Sequence, residues 1–479
     1  MKFNKKSNVA IFLSFCFMLS FSAYLACSGS NSTNSDSRNQ TTDSTGNSSG
    51  GSNGSGGSVN GEGSGGSGTT QGNLSSVASS WSNGAPPDLG AYHPFLSSND
   101  WYTNISNASV DADSDNIIAD VTADNGGTLN LQPDFGSSLF LGNPIGIPYD
   151  VVSSSSTSMT NITIGENGYP EESDPGPNNS TDRIPIPAPL PSSTHIEGGN
   201  DHHVLLIDKD NYWLYEIYHA VNNRSSWTAD QVTLWDLQDN TKRPWTWTSA
   251  DQAGLSVFAG LVRYDEVQNA IASNGDMGHA IRVTVSRTLE AFIPPASHPG
   301  GGNDPTAHSA KMGMRFRLKS SYLQSHLSDF SPQNQVILRT LAKYGMIVAD
   351  TGSDFLISGT QDARWIEEES LGGIAQLLNV PGSAFEVVAH STEYTRANAP
   401  TGNAPILNSF SANPASIVRG ASVTLNWNVS NASTAIITPD IGPVRGSSIS
   451  IHPSSSATYT LYVTNEFGRS SGTVNVNVE

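Results

Sequence analysis

The stretch HHVLLIDKDNYWLYEIYHA, residues 202–220, predicts a β-hairpin. Two apolar runs rich in β-branched and aromatic residues flank the turn tripeptide KDN. The turn can be centred on Lys209-Asp210 or on Asp210-Asn211. These two registers differ by two residues, so the same side chains share a face in both. One face carries His203, Leu205, Ile207, Leu214, Glu216 and Tyr218, and the other carries His202, Val204, Leu206, Trp213, Tyr215, Ile217 and His219.

The chain around this hairpin also predicts mostly strands. HAIRVTVSR (279–287), MGMRFRLKS (312–320) and MIVADTG (346–352) are typical of half-buried or buried strands. Ser331 as N-cap, Pro332 in the first turn and Gly345 at the end delimit a helix. A shorter helix is expected within 362–379. Residues 81–396 are therefore predicted to form a mainly β domain. An antiparallel jelly-roll-like β-sandwich with a few helices is the first hypothesis, and an irregular α+β sheet domain is the second.

Residues 404–479 predict a separate β-sandwich. Apolar and polar residues alternate through VTLNWNV, TYTLYV and VNVNV, and Gly and Asn-Pro turns separate these runs. NPASIVRGASVTLNWNVSNAS and SATYTLYVTNEFGRSSGTVNVNV resemble the Ig-like domains of bacterial surface proteins. The resemblance implies an Ig-like sandwich with Trp427 in its core. It also implies a role as a spacer or, alternatively, as a glycan-binding or adhesive surface.

The N-terminus predicts export. Three lysines precede an apolar stretch that ends in YLAC, so residues 1–26 are predicted to be a signal peptide. The Cys27 context resembles the lipobox of bacterial lipoproteins. That resemblance implies lipidation of Cys27, a membrane partner through the lipid anchor, and an outer-membrane protein that faces the surface or the periplasm. The alternative is ordinary cleavage near Ala23 or Ala26. Residues 27–80 are rich in Gly, Ser and Asn and predict a disordered tether.

The composition of the chain limits the classes of ligand and of catalytic or metal site that can be expected. The formal net charge of −20 makes nucleic acid an unlikely ligand, because phosphate backbones would be repelled. The two cysteines are Cys16, inside the signal peptide, and Cys27, so no disulfide, thiolate metal site or cysteine nucleophile is expected in the mature chain. The run DADSDN (111–116) lacks the Gly and Glu of a calcium loop and is interpreted as a polar turn. No metal and no cofactor is predicted.

The predicted hairpin suggests acid–base chemistry. A carboxylate at Glu216 on the same face as His203 would orient the ring and raise its pKa, and Tyr218 lies on that face as well. Asp201 stands at the entrance to the first strand. We therefore take His203, Glu216 and Asp201 as candidate catalytic residues and Tyr218 as a substrate-binding residue. The alternative is a cross-strand ion pair at the end of a sheet, with Tyr218 as ordinary packing.

Other polar and aromatic residues enlarge the candidate set. Asp265 and Glu266 in LVRYDEVQ supply paired carboxylates, and GHAIR places His279 and Arg282 at the start of a strand. We take the two carboxylates as catalytic candidates and His279 and Arg282 as substrate-binding candidates. Their alternative is structural ion pairing. Trp245 and Trp247 in RPWTWT share a face if the segment is extended, and they either stack on sugar rings or fill a core.

The core block resembles a group of secreted bacterial proteins that share DxHVLLID with LYE, VRYDEV with HAIR, and KYGMIVADTGS. No activity is assigned to that group. The resemblance implies a recurring framework of Asp201, His203, Glu216, Asp265, Glu266 and His279. The hypothesis is a surface-anchored protein that acts on extracellular polysaccharide, as a hydrolase or a lyase, by His/carboxylate acid–base chemistry. The alternative is a non-catalytic glycan-binding or adhesive lipoprotein.

Overall fold

The computed structural model describes residues 72–479 apart from 125–126, 138, 141–142, 177–182, 225, 302–304 and 391. The predicted signal peptide, Cys27 and the predicted tether as far as residue 71 lie outside the described residues. Leu74 is fully buried and belongs to the main hydrophobic cluster, and the carbonyl of Val77 accepts a hydrogen bond of 2.7 Å from Lys209 Nζ. Packed structure therefore starts before the predicted boundary at Trp81.

The first half of the described chain is built mainly from short strands. They are β1 (Ala123–Asp124), β2 (Gly127–Thr128), β3 (Gln132–Asp134), β4 (Leu139–Phe140), β5 (Asn143–Pro144), β6 (Tyr149–Val152), β7 (Thr160–Ile164), β8 (Ile186–Ala188), β9 (Val204–Asp208), β10 (Trp213–Tyr218), β11 (Val221–Asn222), β12 (Trp227–Ala229) and β13 (Gln231–Asp236). Helix α1 (Ser114–Val121) precedes them. It starts inside the run DADSDN, so the interpretation of that run as a simple polar turn is wrong in its second half.

The second half of the core adds strands and three more helices. The strands are β14 (Ile281–Val285), β15 (Thr288–Phe292), β16 (Ala310–Met312), β17 (Arg315–Leu318), β18 (Met346–Thr351), β19 (Leu356–Ser358) and β20 (Phe385–Val387). The helices are α2 (Tyr264–Ser273), α3 (Ser320–His326) and α4 (Pro332–Lys343). Short 3-10 helices lie at Asp100–Tyr102, Pro170–Glu172, Phe258–Gly260, Leu327–Asp329, Glu369–Leu371, Ile374–Asn379 and Gly382–Ala384.

Two sheets share the main hydrophobic core. One has the strand order β13-β10-β9-β6 and the other has the order β20-β17-β18-β14-β19-β3. Leu205 and Leu214 from the first sheet and Ile281 and Val348 from the second belong to one cluster of buried side chains. Burial of apolar area in this cluster is the main stabilising contribution to the core.

The opposite face of the β9–β10 hairpin packs into a second cluster. Val204, Leu206 and Tyr215 lie there with Ile162 of β7. The hairpin thus buries both faces, with alternate side chains in different clusters, and this is the period-two division that the sequence predicts. Glu216 pairs with Leu205, which is the register expected for the loop centred on Asp210-Asn211.

The mainly β fold is confirmed, and the sheets are mixed. β6 runs parallel to β9, and β14 runs parallel to β18, whereas an antiparallel arrangement was predicted. The jelly-roll arrangement stays a prediction. Helix α4 has the expected limits, with Ser331 at the N-cap and Gly345 at φ +70° after its end. The helix expected within 362–379 is instead two 3-10 segments, and Gly372, at φ +75°, separates them.

The C-terminal residues form a β-sandwich. Its strands are β21 (Ile406–Asn413), β22 (Ser416–Ile417), β23 (Val423–Ser430), β24 (Thr434–Thr438), β25 (Gly442–Pro443), β26 (Ser448–Ile451), β27 (Ala457–Asn465) and β28 (Gly468–Val478). They form two sheets, with orders β21-β23-β26 and β22-β28-β27-β24-β25. Trp427 is 4% exposed and lies in the sandwich core with Leu425 and Leu461, as predicted.

The sandwich is packed against the core domain. Ile436 of β24 is buried in the second cluster of the core. Arg445 forms a bidentate ion pair with Asp236, and its guanidinium lies 4.3 Å from the centroid of the Trp213 ring. The amide of Trp245 donates a 2.8 Å hydrogen bond to the carbonyl of Glu466. These contacts differ from the spacer that the sequence resemblance implied, because Ile436 is buried in the core domain and Arg445 is paired with Asp236 of that domain.

Replacing Arg445 with Ala is expected to lower the free energy of unfolding by about 1–3 kcal/mol. The substitution removes the bidentate pair to Asp236 and the contact with the Trp213 ring. Urea unfolding, followed by tryptophan fluorescence, measures the change. The matched control is Arg419→Ala, which removes an exposed arginine of the same sandwich. Equal small effects of the two substitutions would show that the interface contributes nothing through Arg445.

Candidate functional site

Glu216 is a buried structural carboxylate. Its side chain is 0% exposed and accepts four hydrogen bonds, from Trp235 Nε1 (2.7 Å), Ser256 Oγ (2.7 Å), Val257 N (3.1 Å) and Phe258 N (2.9 Å). Burial raises its pKa to about 7 against the opposing effect of these donors. Glu216 therefore does not orient His203, and the structure favours a structural role over the predicted role as acid, because its oxygens bind the 256–258 segment and are buried.

His203 is paired with a different carboxylate. Its Nδ1 lies 2.6 Å from Glu197 Oε2, and its Nε2 lies 3.3 Å from the carbonyl of Ala250. Burial disfavours the charged ring, but the charge and hydrogen bond of Glu197 raise the pKa of His203 to about 9. The structure favours a structural role for His203 over the predicted role as catalytic base, because its Nδ1 faces Glu197 and its ring is 3% exposed.

The ion pair between His203 and Glu197 makes a pH-dependent contribution to stability. The pKa of His203 in the folded state lies above its ordinary value, so the contribution is complete below about pH 6.5 and is lost as the pH rises through about 9. We expect the stability difference between wild type and His203→Gln to be largest near pH 6 and to shrink towards pH 9.5. Urea unfolding across this range measures it. His326→Gln, at an exposed pair with Asp329, is the control, and a difference independent of pH would contradict the assignment.

Arg263, Asp265, Glu266 and His279 form a buried ionic cluster. Arg263 lies 3.3 Å from Asp265 and 3.0 Å from Glu266, and His279 Nε2 lies 3.2 Å from Glu266. Asp265 Oδ2 also accepts the amides of Leu89 (2.7 Å) and Gly90, which fixes the N-terminal loop to helix α2. The structure therefore favours the structural alternative over the catalytic role predicted for Asp265 and Glu266 and the substrate-binding role predicted for His279. All three side chains are at most 6% exposed and are engaged within the fold.

Trp245 and Trp247 lie where the core meets the sandwich. The Trp245 ring packs against Phe292, with centroids 5.9 Å apart. The Trp247 ring has the guanidinium of Arg243 at 5.3 Å and that of Arg469, from the sandwich, at 5.4 Å. The sequence left a sugar platform and a packing role open. The structure favours packing, because cations or aromatic rings already occupy the neighbourhood of both indoles.

Arg282 lies at the centre of a different polar group. Its Nε donates to Asp251 Oδ2 at 2.9 Å, its Nη2 donates to Asp251 Oδ1, and its Nη1 donates to Ser358 Oγ. Ser358 pairs with Asp134 on the neighbouring strand β3. The side chain is 5% exposed, so the structure favours a structural role for Arg282 over the predicted contact with substrate. It holds a row of polar residues across β14, β19 and β3.

The segment at 250–251 joins this row to His203. Ala250 contacts the His203 ring, and Asp251 binds Arg282. Around these two buried cations lie further carboxyl groups whose charges act on one another. We call the set the inter-sheet cluster, because it joins the end of β9 to the six-stranded sheet. Its members are Asp134, Glu197, Asp201, His203, Asp251, Arg282, Asp350 and Tyr218.

One side of the inter-sheet cluster is buried, and the other side, which we call its rim, is partly exposed to solvent. Asp201 is exposed, and Asp134, Asp350 and Tyr218 are each partly exposed. The Tyr218 ring lies 5.6 Å from the His203 ring, centroid to centroid. Of the three residues predicted to cluster on one face of the hairpin, His203 and Tyr218 thus lie together, whereas Glu216 lies outside the inter-sheet cluster. The solvent-facing members are carboxyls and a phenol rather than the imidazole.

The pKa values of the carboxyls in the cluster are shifted in opposite directions. Burial and the charge of Asp251 raise the pKa of Asp350 well above its usual range. Burial and the charge of Glu197 raise the pKa of Asp134 to about 6. The pKa of Glu197 is lowered, because the charge and hydrogen bonds of His203 outweigh burial. Carboxyls that keep different protonation states at one pH are the requirement for paired acid–base chemistry.

An aromatic residue that sequence reasoning missed stands near this rim. Tyr169 is 50% exposed, and the charges of Asp230 and Asp350 act on its hydroxyl, whose pKa burial raises. The sequence offered little indication of a role for Tyr169, because the proline-rich segment around it predicts only an irregular polar stretch. Asp134, Glu197, Asp251 and Asp350 were also missed. Asp134 and Asp350 lie at or near the ends of β3 and β18, and Glu197 and Asp251 lie in loops, so each had the sequence pattern of an ordinary surface carboxylate.

The part of the chain that the structure describes contains no group of three or more His, Cys, Asp or Glu side chains arranged to hold a metal ion. Among the same residues, no helix is both long and apolar enough to cross a membrane.

Comparison with known proteins adds little. No family model and no curated protein matches the chain. A solved chimeric titin Z1Z2 tandem that carries an exogenous fibronectin peptide is 14% identical, covers 20% of this chain and 70% of its own, and has a TM-score of 0.15. A structure bearing on Dscam isoform specificity is 10% identical, covers 67% of this chain and 72% of its own, and has a TM-score of 0.13.

Proposed function

We propose that this protein hydrolyses extracellular polysaccharide at the inter-sheet cluster. The proposal is supported by the partly exposed carboxyl of Asp350, whose pKa is raised by burial and by the charges of Asp251 and of the exposed Asp201. Glycoside hydrolysis needs one carboxylic acid to protonate the leaving oxygen and one carboxylate to act as base or nucleophile. We assign the acid to Asp350 and the base or nucleophile to Asp201.

The charge of the cluster favours a neutral glycan. Five carboxyls surround two cations, and both cations are buried and already paired, His203 with Glu197 and Arg282 with Asp251. A lyase must neutralise a uronate with a cation, and the described cluster has none left for a ligand. A uronate would also be repelled by the carboxylates. Of the two reactions that the sequence left open, hydrolysis is therefore the better supported.

The phenols of Tyr169 and Tyr218 add a means of binding sugars. The charge of Asp350 acts on both side chains, and Tyr169 also acts on Tyr218, which supports placing both phenols near the same rim. Aromatic rings contact the apolar faces of sugars, and phenol hydroxyls bond to sugar hydroxyls. These two residues take the role that the sequence had suggested for Trp245 and Trp247.

A polysaccharide panel tests the proposal. Wild type, Asp201→Asn and the control Asp115→Asn, an exposed carboxylate on α1, are incubated with neutral and uronate polymers. We expect new reducing ends from a neutral polymer, a loss of about 100-fold or more in Asp201→Asn, and none in the control. Absorbance of unsaturated uronates would instead indicate a lyase. Binding to insoluble polymer without new ends would overturn catalysis and favour the adhesive alternative.

We also propose that the chain is anchored in the cell envelope through a lipid on Cys27, as an outer-membrane lipoprotein. The support is the sequence around Cys27, which lies outside the described residues. Metabolic labelling of bacterial cells with a clickable fatty acid tests it. Wild type should carry the label and sediment with membranes, whereas Cys27→Ser should carry none. Unlabelled wild type would favour ordinary cleavage.

A further inference from the structure

A cavity lies away from the inter-sheet cluster. It has a volume of about 410 Å³ and lies between helix α3 and the 3-10 segments at Glu369–Leu371 and Ile374–Asn379. None of the residues that line it belongs to the inter-sheet cluster. The side chains that matter for its chemistry are Tyr322, His326, Asp329, Phe330, Glu369 and Asn379.

One wall of the cavity is aromatic. The rings of Tyr322 and His326 lie 4.5 Å apart, centroid to centroid, with their planes 32° apart. Phe330, which is 8% exposed, and Pro381 also line the cavity and add apolar surface. A wall of this composition attracts either the apolar face of a ring or a cation over an aromatic face.

The other polar side chains that line the cavity are two carboxylates and two amides. Asp329 Oδ2 lies 3.1 Å from His326 Nδ1, and Glu369 Oε1 accepts a 2.8 Å hydrogen bond from Asn379 Nδ2. In the described chain no hydrogen bond engages Asp329 Oδ1 or Glu369 Oε2. The one lining side chain that can become cationic, His326, already faces Asp329. The cavity therefore presents free carboxylate oxygens with no competing lysine or arginine among its lining residues.

We propose that this cavity binds an organic ammonium group, carried by a ligand of about one or two sugar rings in size. The carboxylates supply charge-assisted hydrogen bonds, and the Tyr322 and Phe330 rings contact the apolar part of the ligand. The volume lies within the range of small-ligand pockets. The strongly negative chain also raises the local concentration of cations. An amino sugar and an aliphatic amine share this chemistry.

Isothermal titration calorimetry with defined probes tests the proposal and separates the two sources. The probes are the glucosamine disaccharide, putrescine and the fully N-acetylated disaccharide. We expect the glucosamine disaccharide to bind and the acetylated one, which lacks the ammonium charge, to bind at least about tenfold more weakly. Putrescine that binds as tightly as the disaccharide would assign the site to aliphatic amines. Acetylated and free disaccharides of equal affinity would overturn the proposal.

Matched variants locate the binding. Glu369→Gln and Asp329→Asn are each expected to weaken binding by about tenfold. Glu368→Gln, next in sequence but outside the lining, should bind as wild type does. Asp201→Asn should also bind as wild type, because it lies in the other site. Loss of binding in Asp201→Asn with none in Glu369→Gln would move the ammonium to the inter-sheet cluster and overturn the proposal. Circular dichroism confirms that each variant is folded.

Discussion

Asp350→Asn is expected to lower the rate of polysaccharide hydrolysis by about 100-fold or more and to leave the folded state at least as stable as wild type. The activity falls because an amide cannot donate the proton that the leaving oxygen needs. Stability is kept because Asp350 has Asp251 and Asp201 as charged neighbours as well as Arg282, so ionising it in the folded state is unfavourable. A side chain that is needed for activity but costs stability is typical of a functional site.

The sign of the pH dependence follows from the same contacts. The pKa of Asp350 is raised on folding, so the folded state holds this proton more tightly than the unfolded state does. Stability must then fall as the pH rises above about 4, the ordinary value for Asp, until the folded-state carboxyl is ionised. Asp350→Asn has no ionisable group at this position, so this pH-dependent loss of stability is absent from the variant. We expect the stability of the variant relative to wild type to increase with pH over that range.

Two measurements on the same samples check this prediction. Reducing-end assays on the neutral polymer found in the panel give the rate, and urea unfolding between about pH 5 and pH 8 gives the stability. Asp115→Asn again serves as the control, because it removes an exposed carboxylate without changing the cluster. A variant with wild-type activity would remove Asp350 as the acid. A variant that becomes less stable relative to wild type as the pH rises would contradict the raised pKa of Asp350 in the folded state.

Arg263→Met is expected to reduce the free energy of unfolding by about 3–5 kcal/mol. Arg263 is 2% exposed and lies against Asp265 and Glu266, so its removal leaves buried carboxylates without their cation. Its Nη2 also donates a 3.1 Å hydrogen bond to the carbonyl of Tyr92, which would be left without this donor. The loss should therefore weaken both helix α2 and the N-terminal loop that covers it.

The control for this substitution is an exposed ion pair. Lys242 lies 3.3 Å from Asp100, with side chains 48% and 44% exposed. Lys242→Met should change stability by less than about 1 kcal/mol, because solvent screens the pair. Urea unfolding of both variants gives the comparison. Similar small losses would show that the Arg263 cluster is no more important to the fold than a surface pair.

The sequence predicted the local structure well where a residue pattern has a short period. The alternation in residues 202–220 correctly assigned Leu205 and Val204 to different clusters. The limits of α4 followed from Ser331, Pro332 and Gly345, whose backbone preferences are local. Helix α2 was missed, because its first turn is dominated by charged residues that were interpreted as a functional cluster.

The sequence by itself determined the β-hairpin, the half-buried strands, α4 and the C-terminal sandwich, because side-chain periodicity and capping depend on neighbours in the chain. Only the tertiary structure decided that His203 meets Glu197 rather than Glu216, and that Asp350 joins Asp201 and Asp251. These partners are separated by segments of very different length, and no periodic pattern connects them. Burial then decided their chemistry, since the same carboxyl is a structural acceptor when donors surround it and holds its proton when other carboxylates do.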